Sequence, residues 1–152
     1  MKDNTPLAVA YYMNGINFRI SAEKLVDGLE LDSVGRPTKL MAMPLYFLAS
    51  HAAELYLKAA LLKRGFEEAN LKKFGYRHNL SKLLQEVQSK GVPVTTSTMA
   101  IVHGLSEQHQ THQLRYTVLA ADGSKTYWPP LSLVFAALDE LLLLTRISTH
   151  GL

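Results

Sequence analysis

The stretch FLASHAAELYLKAALL, residues 47–62, decides the fold. Leu48, Ala52, Leu55 and Ala59 recur at spacings of three and four, the period of an α-helix. Leu45, Leu57, Leu61 and Leu62 widen the apolar face until little of the helix is left for solvent, as expected for a rod at the centre of a bundle. Pro44 suits a first helical turn and Gly65 suits a C-terminal cap, so the helix is predicted from about Pro44 to Arg64. His51, Glu54 and Lys58 stand at i, i+3 and i+7 and therefore share one face of this rod. Polar groups beside a core must pair or hydrogen-bond, or each costs about 1–3 kcal/mol.

Outward from this helix the same period recurs. A first helix is predicted from about Pro6 to Leu29, with Asn4 or Thr5 as cap and a break expected near Gly15 and Asn17. The polar link Asp32 to Pro37 follows. After Gly65, residues Glu67 to Lys73 read as a helical turn or two. A third main helix spans about Asn79 to Lys90 on the stripe Leu80, Leu83, Leu84, Val87, and a fourth runs from about Ser97 to Gln108. Leu114 to Leu119 is β-branched and aromatic and precedes the turn pair Asp122-Gly123, so an irregular or hairpin excursion is expected near residues 110–128. Pro129-Pro130 opens a last helix, about Leu131 to Ser148, apolar on one side. The sum is an all-α, up-and-down bundle of four to five helices in one domain, residues 1–152.

Composition sets the setting. Apolar residues are 47% of the chain, enough for a core without staples, and charged residues are 19%, below the usual share of about 25%. That deficit points to buried surface, a subunit interface included. There is no cysteine, which excludes disulfides and thiolate metal sites and fits a reducing cytosol, so a cytoplasmic protein is expected. The N-terminal residues have no signal-peptide form, and no apolar run approaches the roughly 20 residues of a membrane span. A net charge of +3 is mild, and no dense basic stripe of a duplex binder is present. Lys63-Arg64, Lys72-Lys73 and Arg77-His78 are short basic clusters able to touch phosphates.

The central segment resembles the HEPN domain family. Members carry a helix of the form A-A-E-x-x-L-K-A, a glycine near its end, a variable link, and H-x-L-x-x-L-L opening the next helix. Here these are Ala52-Ala53-Glu54, Leu57-Lys58-Ala59, Gly65, and His78-Asn79-Leu80 with Leu83-Leu84. The match is densest from Phe47 to Val87, and Leu114-Arg115-Tyr116 is similar to a short R-Y element of many members. The resemblance implies a bundle that often dimerises. It also implies work around RNA or nucleotides, as in toxin–antitoxin and defence ribonucleases or helpers of a nucleotidyltransferase-like partner protein. The nuclease branch carries an arginine, four to six residues, then a histidine. Arg19, Arg36, Arg64, Arg77 and Arg115 have no histidine at that distance, and Arg146 and His150 are separated by three residues.

The leading expectation is therefore a non-catalytic HEPN-like module that binds a partner protein, with RNA or a nucleotide as a further ligand. Its candidate binding residues are His51, Glu54, Lys58, Arg77, His78, Arg115 and Tyr116. A plainer reading of the strip is an internal network in which Glu54 pairs with Lys58 and His51 packs beside them. His78 read plainly caps its helix or bonds to the bundle, and Arg115 read plainly forms a structural salt bridge, with Glu54 as its partner. The first rival is a metal-independent ribonuclease built on Arg77, His78 and Arg115, with histidine as general base toward the 2′-hydroxyl of RNA. The second is a structural subunit of a larger complex. No cofactor and no metal are expected. His103, His109 and His112, with Glu107, form a loose cluster that reads as a surface-facing polar stretch at a helix end.

Overall fold

The computed structural model describes residues 4–38, 42–110 and 128–146. Among the described residues it is an all-α bundle of six helices: α1 Thr5–Val26, α2 Ala42–Lys63, α3 Glu68–Leu71, α4 Leu80–Ser89, α5 Thr96–Gln110 and α6 Leu131–Leu144. No strand occurs among the described residues; the nearest approach is one isolated bridge between Leu31 and Pro37. The excursion expected over 110–128 is bounded by helix on one side, because Gln110 still belongs to α5. Residues 111–127, Arg115 and Tyr116 among them, lie outside the described residues.

α2 is the axis. Fifteen of its residues are buried, and α1, α4, α5 and α6 all pack on it. Its end is a Schellman cap: Gly65 takes φ +81°, its N–H reaches Leu62 O at 3.1 Å, and the Phe66 N–H reaches Leu61 O at 3.0 Å. Lys63 Nζ and Arg64 Nη1 then donate to the carbonyls of Thr145 and Leu144, tying the end of α2 to the end of α6. At the other end of both helices the Tyr46 hydroxyl donates to the Pro129 carbonyl and its ring packs on Trp128. α2 and α6 are therefore parallel neighbours, with Trp128 as the packing anchor of the second.

α1 runs antiparallel to α2, since Phe18 meets His51 while Gly15 meets Tyr56. The break expected at Gly15 is absent. Gly15 is buried in an unbroken helix because the Tyr56 ring occupies the space a Cβ would take, 2.6 Å from its ideal position. The glycine serves close helix approach, and the packing gained outweighs its helix cost of about 1 kcal/mol. Asn4 holds the cap position of α1, but its side-chain amide donates to Phe66 O, so the start of α1 is pinned to the end of α2.

α4 and α5 also alternate. Ser81 N–H donates to Ser106 Oγ near one end, and Gln88 meets Met99 at the other. The link of residues 64–79 behaves differently. It carries α3 and returns along α2, so that His78 meets Glu54 at mid-helix while Lys90, at the far end of α4, lies over Phe66. α4 thus runs parallel to α2. Asn79 caps α4 by accepting from Lys82 N–H, which leaves His78 outside the helix.

Two tests follow from this packing. Gly15→Ala should destabilise the chain by about 1–3 kcal/mol, read as a lower urea midpoint, because the Tyr56 ring must move. The carboxylate of Glu140 accepts from Thr95 N–H and from the Thr95 and Thr98 hydroxyls at the start of α5. Burial raises its pKa, but these hydrogen bonds outweigh it and hold the group below the usual value. A depressed carboxylate stabilises above its unfolded pKa and loses that contribution as pH falls through its folded one. Glu140→Gln should therefore cost about 1 kcal/mol at neutral pH and progressively less on acidification below about pH 4.5, measured by denaturant titration across pH.

Candidate functional site

The polar strip of α2 faces inward to a shared point. Glu54 is only 1% exposed, although it is a carboxylate surrounded by alanine and leucine. Such a group is tolerated only when its charge is met by partners. Lys58, one helical turn on, donates from Nζ to Oε1 at 2.6 Å. The other oxygen, Oε2, draws in three imidazoles from three different segments. His109 Nε2, from the last turn of α5, lies 2.7 Å away. His78 Nδ1, from the returning link, lies 3.1 Å away. His51 Nδ1, one turn earlier on α2, stands at 3.7 Å, beyond hydrogen-bond reach.

The backbone positions these groups at some cost. His78 takes φ +54°, a left-handed conformation rare outside glycine. Such a residue costs on the order of 1–3 kcal/mol and persists where its surroundings hold it. Here the Asn79 cap fixes the chain on one side, and the Tyr76 hydroxyl, donating to Glu86, fixes it on the other. The His51 ring is held edge-on by Phe18 at 4.3 Å and stacks with Phe47. His109 is wedged between His78, 5.3 Å away edge to face, and Phe47.

Protonation follows from this geometry. Burial pushes the Glu54 carboxyl up, but His109, His51 and the Lys58 ammonium together outweigh burial and hold it far below the usual carboxylate range. An ionised carboxylate only accepts, so His109 Nε2 and His78 Nδ1 carry protons toward it. Burial lowers the His109 pKa, against the pull of Glu54, and its neighbours His78 and His51 lower it further. His109 is thus a neutral ring with its proton on Nε2. Its buried Nδ1 meets no hydrogen-bond partner among the described residues, and neither does buried His51 Nδ1.

The network opens onto a cleft of about 420 Å³ lined by Phe74, Arg77, His78 and Gln110. Arg77 is exposed, and Phe74 is 95% exposed at the rim. His78 belongs to both regions, with one face on the buried carboxylate and one on the cleft.

The structure brings His51, Glu54, Lys58 and His78 together; the shared face of the first three is the one that the spacing of α2 predicts. Arg77 lies beside them in the cleft rather than on the carboxylate. The plain pairing of Glu54 with Lys58 is present as well, within the larger network. The pairing of Arg115 with Glu54, and any part for Tyr116, fall outside the described residues. His109 corrects the sequence reading. It is 1% exposed at the centre of the network, not on a polar surface, and Gln108 beside it is also buried. Val102, Leu105 and His109 stand at i, i+3 and i+7, and that stripe was the available sign that His109 shares the core face of α5. His103 is exposed and pairs with Ser81 Oγ, apart from the buried His109; His112 is outside the described residues.

No family model, curated protein or solved structure matches the chain.

Glu54→Ala should cost about 3–5 kcal/mol, since it leaves Lys58 and two oriented imidazoles without their acceptor. Thermal and denaturant unfolding would measure it. A loss within about 0.5 kcal/mol would show that the network adds nothing to folding.

Proposed function

We propose that this chain is a HEPN-like module that binds RNA or a nucleotide through the cleft of Phe74, Arg77, His78 and Gln110, without cleaving it. The observation that carries the reading is the cleft's lining. It offers a guanidinium and an imidazole for phosphate, an amide for a base edge, and a phenyl ring in water with nothing packed over most of it. Single-stranded nucleic acid is held by this combination of cation and aromatic platform. The buried carboxylate supports it by fixing His78 in place before any ligand arrives, so little ordering remains to be done on binding. The motif resemblance between Phe47 and Val87 points the same way. Self-association and a nucleotidyltransferase-like partner belong to this reading through the resemblance alone.

A second reading is favoured by one contact, the hydrogen bond of His78 Nδ1 to Glu54. A carboxylate that holds one imidazole nitrogen as N–H leaves the lone pair of the neutral ring on Nε2, the arrangement of a general base. The chain would then cleave RNA without a metal, using the 2′-hydroxyl as nucleophile.

One experiment covers both. Labelled single-stranded RNA, mixed with the protein in EDTA, is followed by fluorescence anisotropy at several salt concentrations and then run on a denaturing gel. Binding is expected without cleavage. Arg77→Ala should weaken it and flatten the salt slope by about 0.7. Phe74→Ala should cost about 1–3 kcal/mol in affinity with the slope kept. Cleavage abolished by His78→Ala would replace the binding reading with the ribonuclease one. Absence of binding at low salt would end both.

A further inference from the structure

We propose that His51, Glu54 and His109 form a binding site for one divalent transition-metal ion of the zinc class. The proposal goes beyond the nucleotide reading and does not depend on it. Two imidazoles and a carboxylate are a ligand set for zinc, and for iron when they occupy one face of the ion with positions left open. Each of the three residues offers a ligand atom, and these atoms lie within 4.8 Å of one another. Around an ion with bonds of about 2.0–2.2 Å, neighbouring ligand atoms stand about 3.0–3.5 Å apart. The separations from Glu54 Oε2, 2.7 Å to His109 Nε2 and 3.7 Å to His51 Nδ1, straddle that range. Shifts of a few tenths of an ångström would bring both into it.

Three further observations favour an ion here over a hydrogen-bond network alone. Lys58 occupies Oε1, so the carboxylate is oriented to offer Oε2 as a single ligand oxygen. His51 Nδ1 is buried without a hydrogen-bond partner among the described residues, 3.7 Å from that oxygen. A buried polar atom left unpaired is a cost, and a metal bond would remove it. The three ligands also sit on two packed helices, α2 and α5, with the His51 ring clamped by Phe18 and Phe47. A site on rigid elements loses little freedom on loading. His78 Nδ1 lies 3.1 Å from the same oxygen, and His78 also lines the cleft.

The competing arrangement uses the same atoms. Without an ion, Glu54 is satisfied by Lys58, His78 and His109; an entering ion must displace the His109 hydrogen bond, with the ring proton passing from Nε2 to Nδ1. Titration of the chelator-stripped full chain decides between them. Zn²⁺ is followed by calorimetry and by melting temperature, and Co²⁺ by its visible absorption. One ion per chain is expected, with a raised melting temperature. His51→Ala, at a position already 24% exposed, should keep the fold and weaken binding by about a hundredfold or more, beyond the 10–100-fold typical of losing an outer-shell partner. His109→Gln should do the same, and circular dichroism checks that each variant is folded. His103→Ala, at an exposed position bonded only to Ser81 among the described contacts, should leave affinity unchanged. Binding below one ion per chain, or binding that His103→Ala weakens as much as His51→Ala, would overturn the assignment and leave the network as hydrogen bonds alone.

Discussion

A carboxylate sealed inside a helical bundle constrains everything around it. Taking one such charge out of water costs several kcal/mol even after relaxation, and only close partners offset that. Glu54 finds them on its own helix, on the returning link and at the end of α5. The apolar stripes of α4 and α5 would pack against α2 in more than one register. A charge needing His78 and His109 at one height along α2 narrows that choice. The oily contacts supply most of the driving force for assembly, and the ion network is met only when His78 and His109 both reach Glu54. This division of labour also explains the parallel course of α2 and α4. The link of residues 64–79 has to travel back to mid-helix before α4 starts, because only there does His78 reach the carboxylate.

The fold was legible because helix periodicity is a local signal. The stripes of Leu48, Ala52, Leu55 and Ala59, and of Leu80, Leu83, Leu84 and Val87, place two helices to within a residue or two. The shared face of His51, Glu54 and Lys58 was legible for the same reason, as helix geometry fixes neighbours three, four and seven residues apart. What spacing could not give was the partner 55 positions away. His109 sits in a run of histidines and glutamines whose composition reads as surface. Only its register with Val102 and Leu105 marks it as interior. Gly15 failed in the opposite sense, since a residue poor for helix locally is demanded there by the Tyr56 ring of another helix. Both are cases in which tertiary contact overrides local preference.

The cleft and the buried network are two faces of one backbone feature. The chain passes from the exposed Phe74 through Arg77 to His78, and at His78 it turns left-handed. An ordinary helical or extended residue there would carry the chain onward instead of folding His78 back onto Glu54 with α4 starting two residues later. The strained residue therefore lets adjacent side chains serve different solvents. Arg77 stays in water, while His78 is drawn to a carboxylate inside the protein. Since the interior partner is itself held by Lys58 and His109, His78 inherits its position from them. A ligand meeting Arg77 and Phe74 then encounters a rim already set in place. That is the physical sense in which an acid no solvent can reach controls a surface that solvent covers.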